Sequence, residues 1–192
     1  LVGGIIMGNN AANVPAGKPN IGGSIYVAPL GTTLPTTVSE ELTGFTCLGY
    51  VSDAGVTNDN SPSTQQIKAW GGDTVLNLQT DRPDSYKMTV LETMEAEVKK
   101  IIYGEDNVTV DGSNITVKAT SEELPGHSYV IDMALKDGAK QRIVIPDGRI
   151  SAIDTITYAD NSAVGYGITI NNIPDEDGVY HYEYTSAAEI SG

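Results

Sequence analysis

The sequence has almost no cysteine, few basic residues and no long apolar run. Its single cysteine, Cys47, cannot close an internal disulfide. That excludes a disulfide-stapled scaffold and suits synthesis in a reducing cytoplasm. Lys and Arg number 11 against 25 Asp and Glu, a net charge of −14. Such a surface repels phosphate backbones, which excludes tight nucleic-acid binding. The apolar runs are too short for a transmembrane helix. The two histidines, His127 and His181, come with no G-x-S-x-G elbow and no cysteine pair for a metal. A Ser-His-Asp set can be drawn from so many Ser and Asp residues, but no spacing singles one out. Both histidines are therefore expected in hydrogen bonds at a surface or interface. "PDEDGVYHYEY" opens like a calcium loop with Asp175 and Asp177. Val179 then stands where the third ligand belongs and Tyr180 where glycine is required, so a solvated turn is expected. The Asn58-Asp59-Asn60 cluster is weaker still as a metal site. "VGYGITI" holds its glycines inside a strand pattern, unlike a phosphate or dinucleotide loop. No catalytic residue, metal or cofactor is expected.

What the chain does have is alternation. Its 192 residues are 40% hydrophobic, enough for one domain with a real core. "SYKMTVLE" puts Tyr86, Met88 and Val90 on one face. "HSYVIDMALK" does so with Tyr129, Ile131, Met133 and Leu135, leaving Asp132 and Lys136 on the other. "AVGYGITINN" alternates through Val164, Tyr166, Ile168 and Ile170, and "VYHYEYT" through Tyr180, Tyr182 and Tyr184. Asp111-Gly112, Asp137-Gly138 and Asp147-Gly148 are dipeptides favoured where a hairpin needs positive φ, and Pro146 presets a turn before the last. Successive hairpins in a mainly β fold follow. One segment departs from this pattern. In "TMEAEVKKIIYG", Met94, Val98, Ile101 and Ile102 recur at helical spacing. Thr93 is the expected N-cap and Gly104 the stop, giving one helix over about 93–104 that lies across a sheet.

Two stretches read as arms. The segment 1–23 is extended and rich in Asn, Pro and Gly towards its end. Its apolar start, with Leu1, Val2, Ile5 and Ile6, is expected to be ordered by a neighbouring subunit. Met7 resembles a natural start, so residues 1–6 read as an upstream extension or a cloning remnant, with neither the basic region nor the apolar length of a signal peptide. The second stretch is a projecting loop at about 53–69, whose polar centre includes Asn58, Asp59, Asn60, Ser61 and Pro62. It is long for a connection inside a compact domain. Residues 24–192 otherwise form a single domain. "IKAWGGDTV" follows the loop, with Trp70 beside Gly71 and Gly72. The glycines are expected to flex a strand at the base of the projection, and Trp70 to anchor that bend on the core or on an adjacent subunit. A core tryptophan beside a simple turn is the plainer alternative.

The blocks "AGKPNIGGSIYVAPLGTTLPT", "LGYVSDAGVTNDNSP", "IKAWGGDTV", "VKKIIYGEDNVTV", "RIVIPDGRI" and "AVGYGITI" together resemble the major tail, or tail tube, proteins of long non-contractile-tailed phages of Gram-positive bacteria. The likeness runs from about Val14 to Tyr184. It implies two packed antiparallel sheets with a flanking helix, and subunits that form hexameric rings stacked into a tube. It also implies a tape-measure protein filling the tube, terminator and tip proteins at its ends, and DNA passing through without specific binding. The implied place is the virion tail, assembled in the host cytoplasm. An acidic wall would keep DNA from sticking within about a Debye length, roughly 8 Å at physiological salt. Asp81, Glu92, Asp132 and Asp154 are the expected lumen-facing acids, while the subunit interface is expected to use the N-terminal apolar residues, 58–62, Trp70, Gly71 and Gly72. Two other readings stay open: a tube of the same fold in a headless bacteriocin or secretion particle, and a monomeric carbohydrate-binding or adhesion domain using Tyr180, Tyr182 and Tyr184.

Overall fold

Alternating side chains in most of the chain produce strands, and the computed structural model describes residues 14–20 and 23–186. In order these are β1 (Lys18–Pro19), β2 (Ile25–Pro29), β3 (Thr46–Cys47), β4 (Thr57–Asp59), β5 (Ser63–Lys68), β6 (Thr74–Asp81) and β7 (Ser85–Val90). The helix α1 (Ala96–Tyr103) follows, then β8 (Val108–Asp111), β9 (Asn114–Val117), β10 (His127–Ala134), β11 (Lys140–Ile153), β12 (Tyr166–Ile173) and β13 (Tyr182–Ser186). Nine strands make one antiparallel sheet in the order β3-β2-β10-β11-β12-β7-β4, with β1 added on β10 and β13 on β11. The hairpins β5–β6 and β8–β9 are separate two-stranded sheets. The fold is mainly β with one flanking helix.

The 14-residue β11 joins the two halves of the large sheet. Its first part lies between β10 and β13, and its later part pairs with β12. Ile25, Val27, Tyr129, Ile131, Ile143 and Ile145 come from the first half, and Tyr86, Met88, Val90, Ile168 and Ile170 from the second. These residues form one core, closed by Val98, Ile101 and Ile102 of α1. Each fully buried aliphatic side chain contributes about 1.5–3 kcal/mol. The outer face of the first half is covered as well. Val130 and Val144 are buried there, beside Arg142, which reaches the carbonyls of Thr37 and Glu40 in the segment between β2 and β3.

Two of the three expected turns form, with Gly112 at φ +59° and Gly138 at φ +80°. The third does not, because Asp147-Gly148 lies inside β11. Pro146 and Asp147 sit in a bulge opposite Ser128, whose hydroxyl donates to the Pro146 carbonyl at 2.7 Å. Gly148 is required for close approach: a Cβ there would lie 2.7 Å from Ile170 and 2.8 Å from the Tyr129 ring. The helix also starts later than its apolar spacing suggests. Residues 91–95 form tight turns, with the Thr93 amide on the Leu91 carbonyl and the Glu95 amide on that of Glu92. Glu95 occupies the N-cap without a side-chain bond, and Met94 is 84% exposed, off the buried stripe. Gly104, at φ +94°, ends the helix as expected. Of the N-terminal arm, residues 14–20 are exposed and Lys18 and Pro19 pair with the edge of β10. Leu1, Val2, Ile5 and Ile6 lie outside the described residues.

Candidate assembly interface

Strands β4 and β7 are direct neighbours, with Asn58 opposite Tyr86. Between them the chain leaves the sheet as the hairpin β5–β6, every residue of which is exposed. The register sets its two faces. Ile67 faces Leu76 and Gln65 faces Leu78, while Gln66 faces Asn77 and Thr64 faces Gln79. Cross-strand partners share a side, so one face carries Ile67, Leu76 and Leu78 with Gln65, and the other Thr64, Gln66, Asn77 and Gln79, with the exposed Val75 in the bulge between the Ile67–Leu76 and Lys68–Thr74 pairs. The apolar three are 42–47% exposed, and Trp70 at the tip is fully exposed. An isolated two-stranded hairpin is marginal in water, and among the described residues nothing covers the apolar face of this one.

The tip places the glycines differently from the sequence expectation. The Ala69 amide donates to the Asp73 carbonyl at 2.8 Å and the Gly72 amide to that of Ala69 at 3.0 Å. Gly71 has φ +115° and Gly72 φ +102°. They make the turn at the far end of the arm rather than a hinge at its base, because only glycine takes these angles without strain. Trp70 is fully exposed among the described residues and packs on none of the core side chains, which removes the core-tryptophan alternative. The projection is also longer than 53–69: it includes β6, and Thr57–Asp59 belong to the main sheet.

At the arm's base sits a buried carboxylate. Asp84 is 3% exposed, and its Oδ1 accepts from the side-chain amides of Asn58 at 2.8 Å and Asn172 at 3.1 Å. Its Oδ2 accepts from Asn60 at 3.0 Å and lies 2.7 Å from His181 Nδ1. Arg82 Nε then donates to Asn60 Oδ1 at 2.6 Å, and the Ser61 amide to Asp59 Oδ1 at 3.2 Å. Both ends of the hairpin, residues 58–62 and 82–84, are thus fixed to β12 and to the residue before β13. These bonds set the direction in which the arm leaves the sheet.

The four acids expected at a lumen go to four environments. Asp81 is exposed at the end of β6 and accepts from the Arg82 amide. Glu92 folds over Gly49, where a Cβ would clash with its carboxyl group, and accepts from the Tyr50 amide at 3.0 Å. Asp132 is buried, with its carboxylate bonded twice to Arg142 at 2.7 and 2.8 Å, so it cannot line an open channel. Asp154 is on the outer face of the second sheet half, 2.9 Å from Lys87. The tyrosines do not make an open shelf: Tyr180, Tyr182 and Tyr184 are half-buried, and the last two stack at an interplanar angle of 2°. Asp175 closes its turn by accepting from the Asp177 and Val179 amides and from the Tyr182 hydroxyl at 2.6 Å. The Tyr182 bond, more than the amides, holds its carboxyl below the usual range, and in return Tyr182 is pushed up to about 12. Burial lowers the pKa of His127. Among the described residues no group of His, Cys, Asp and Glu is arranged to hold a metal.

A profile of the phage tail tube protein family matches residues 7–188, which include both sheet halves, the arm and α1. The chain belongs to that family. Comparison with curated proteins gives no significant match. As a tail tube protein it is a structural component of the virion tail that associates with its own copies. Among the described residues no helix is long and apolar enough to cross a membrane. The tail tube protein's buried polar residues Asp84 and Asn172 carry no local sequence signal. Asp84 meets partners that are 24 to 97 positions away.

Proposed function

We propose that this tail tube protein polymerises as stacked hexameric rings into the hollow conduit of a non-contractile tail, through which DNA is ejected. The observation that supports it best is the apolar face of the β5–β6 arm, with Trp70 at its tip and no cover from the described residues of its own chain. A surface of that kind is stable in water only when another molecule covers it, and in a polymer of identical subunits the cover is a neighbouring copy. Residues 1–23 act as a second arm and 24–192 as the tube domain. A tape-measure protein fills the bore before DNA, and terminator and tip proteins close the ends. Synthesis and assembly take place in the host cytoplasm.

Negative-stain microscopy tests this directly. The purified chain is expected to give rings or tubes. Replacing Ser61–Pro83 by a short glycine linker should leave a folded protein, with the melting transition of the main sheet retained, that no longer forms tubes. Tubes of normal length from the deletion would remove the arm from assembly, and a wild-type chain that stays monomeric at all concentrations would overturn the reading itself.

A further inference from the structure

The outer face of β4, β7, β12 and the later part of β11 differs from the rest of this acidic chain. Register puts Ser85, Lys87 and Thr89 of β7 beside Asn171, Thr169 and Gly167 of β12, on the side away from the core. The side chains are mostly short hydroxyls and amides. Lys87 pairs with Asp154 at 2.9 Å, and Arg149 with Asp147 at 3.1 Å. Asp154 lies flat across the sheet, since a Cβ on Gly167 would be 2.6 Å from its carboxylate. In a chain of net charge −14, these four strands carry two ion pairs and Asp59 as their one further charge.

The same four strands end in open edges. β4 is the last strand of the sheet, and residues 149–153 of β11 have β12 on one side and, among the described residues, no strand on the other. Open edges are joining surfaces for a second copy. A ring closed through them must turn one side of these strands inward. Their core side carries the other sheet half and α1, bulk that has to stay outside a bore. The other side, open at Asp59, Lys87 and Asn171 and covered by Gly126 only beside Asp147 and Arg149, is the one left to face it.

We infer that this face is the wall of the channel and that Asp154 neutralises Lys87 there, so that the wall is non-adhesive through paired charge rather than through acidity. An unpaired lysine repeated around each ring would hold DNA by counterion release, whereas hydrated hydroxyls and amides give a passing phosphate backbone nothing to grip. The inference rests on the tube reading above. It also replaces the acidic wall that the sequence suggested, because Asp132 is buried and Glu92 is folded over Gly49.

Single cysteines test it. In a Cys47→Ser background, Thr169→Cys, or separately Ser85→Cys, is treated with a small maleimide and with a maleimide on a bulky polymer. Free subunits should react with both, and tubes only with the small reagent. Asp154→Asn tubes should retain short duplex DNA at low salt, with affinity falling roughly thousandfold between about 50 and 200 mM salt for about six phosphate contacts. Lys87→Ala added to that variant should abolish retention. Tubes in which both cysteines react with the bulky reagent as fast as free subunits would overturn the wall assignment while leaving the tube intact. Tubes with blocked cysteines and no gain of DNA retention in Asp154→Asn would overturn the neutralising role of Asp154. Absence of tubes from the wild-type chain would overturn the tube reading and this inference together.

Discussion

At the scale of single residues, the pair of Asp132 and Arg142 shows what the second face of the sheet depends on. Both are nearly buried, at 9% and 5% exposure. The guanidinium uses Nε and Nη2 on the two carboxylate oxygens and Nη1 on the carbonyls of Thr37 and Glu40, at 3.0 and 2.7 Å. Such a pair contributes little against an apolar replacement of both partners, but removing one leaves a buried charge alone. Arg142→Met should therefore cost about 3–5 kcal/mol in a urea melt. Adding Asp132→Leu should recover most of that, while the segment between β2 and β3, now untied, becomes open to protease. A single substitution costing under about 1 kcal/mol would show that Asp132 is solvated after all. The pair was partly legible. Asp132 and Arg142 lie five residues either side of Asp137 in the hairpin turn, which places them opposite each other. Period two gave Asp132 the side away from the main core. It could not show that this side is covered, because the covering segment belongs to a different part of the chain.

Among the elements, the arm is half legible in the sequence, for a physical reason. The polar residues Asn58 to Pro62 mark a projection in the sequence, but its second strand is not legible there, because Leu76 and Leu78 alternate as core residues do. An amphipathic strand whose apolar face is exposed has the same pattern as one already packed. Sequence alternation reports that a face will be buried without saying by which chain. The place of the turn at Gly71 and Gly72 is not legible in the sequence, because glycine pairs serve hinges and tight turns alike. Nothing lies within 4 Å of a Cβ built on either glycine, so the constraint there is backbone angle rather than space. Replacing both with alanine should cost about 1–2 kcal/mol per residue in the arm alone. The melting temperature of the main sheet should stay within about 2 °C of wild type, since the arm contributes nothing to that core. Polymerisation, followed by light scattering, should need a higher subunit concentration. A large fall in melting temperature with unchanged polymerisation would mean that the arm supports the fold and has no part in assembly.

For the whole molecule, the charge of −14 in 192 residues sets the conditions under which copies can meet. With the outer face of β4, β7, β12 and later β11 nearly balanced and Asp132 paired internally, the excess acidity falls on the remaining surface. Every approach of one subunit to another then works against like charge. Long-range repulsion of this kind depends on the Debye length, about 30 Å at 0.01 M salt and about 8 Å at 0.15 M. Apolar contact through the arm depends on salt far less and acts only once subunits touch. Association should therefore be slow at about 0.01 M salt, speed up steeply towards about 0.15 M, and level off once the repulsion is screened. Lowering the pH towards the isoelectric point of about 4.3 should have the same effect at low salt, by protonating carboxylates instead of screening them. The arm deletion should lose both responses, because its remaining contacts do not lead to a polymer. Light-scattering kinetics over a salt series at constant pH, then over a pH series at constant salt, measure each arm of the argument. Polymerisation that weakens as salt rises would show instead that complementary charges hold the subunits together. The apolar arm would then be a minor contact.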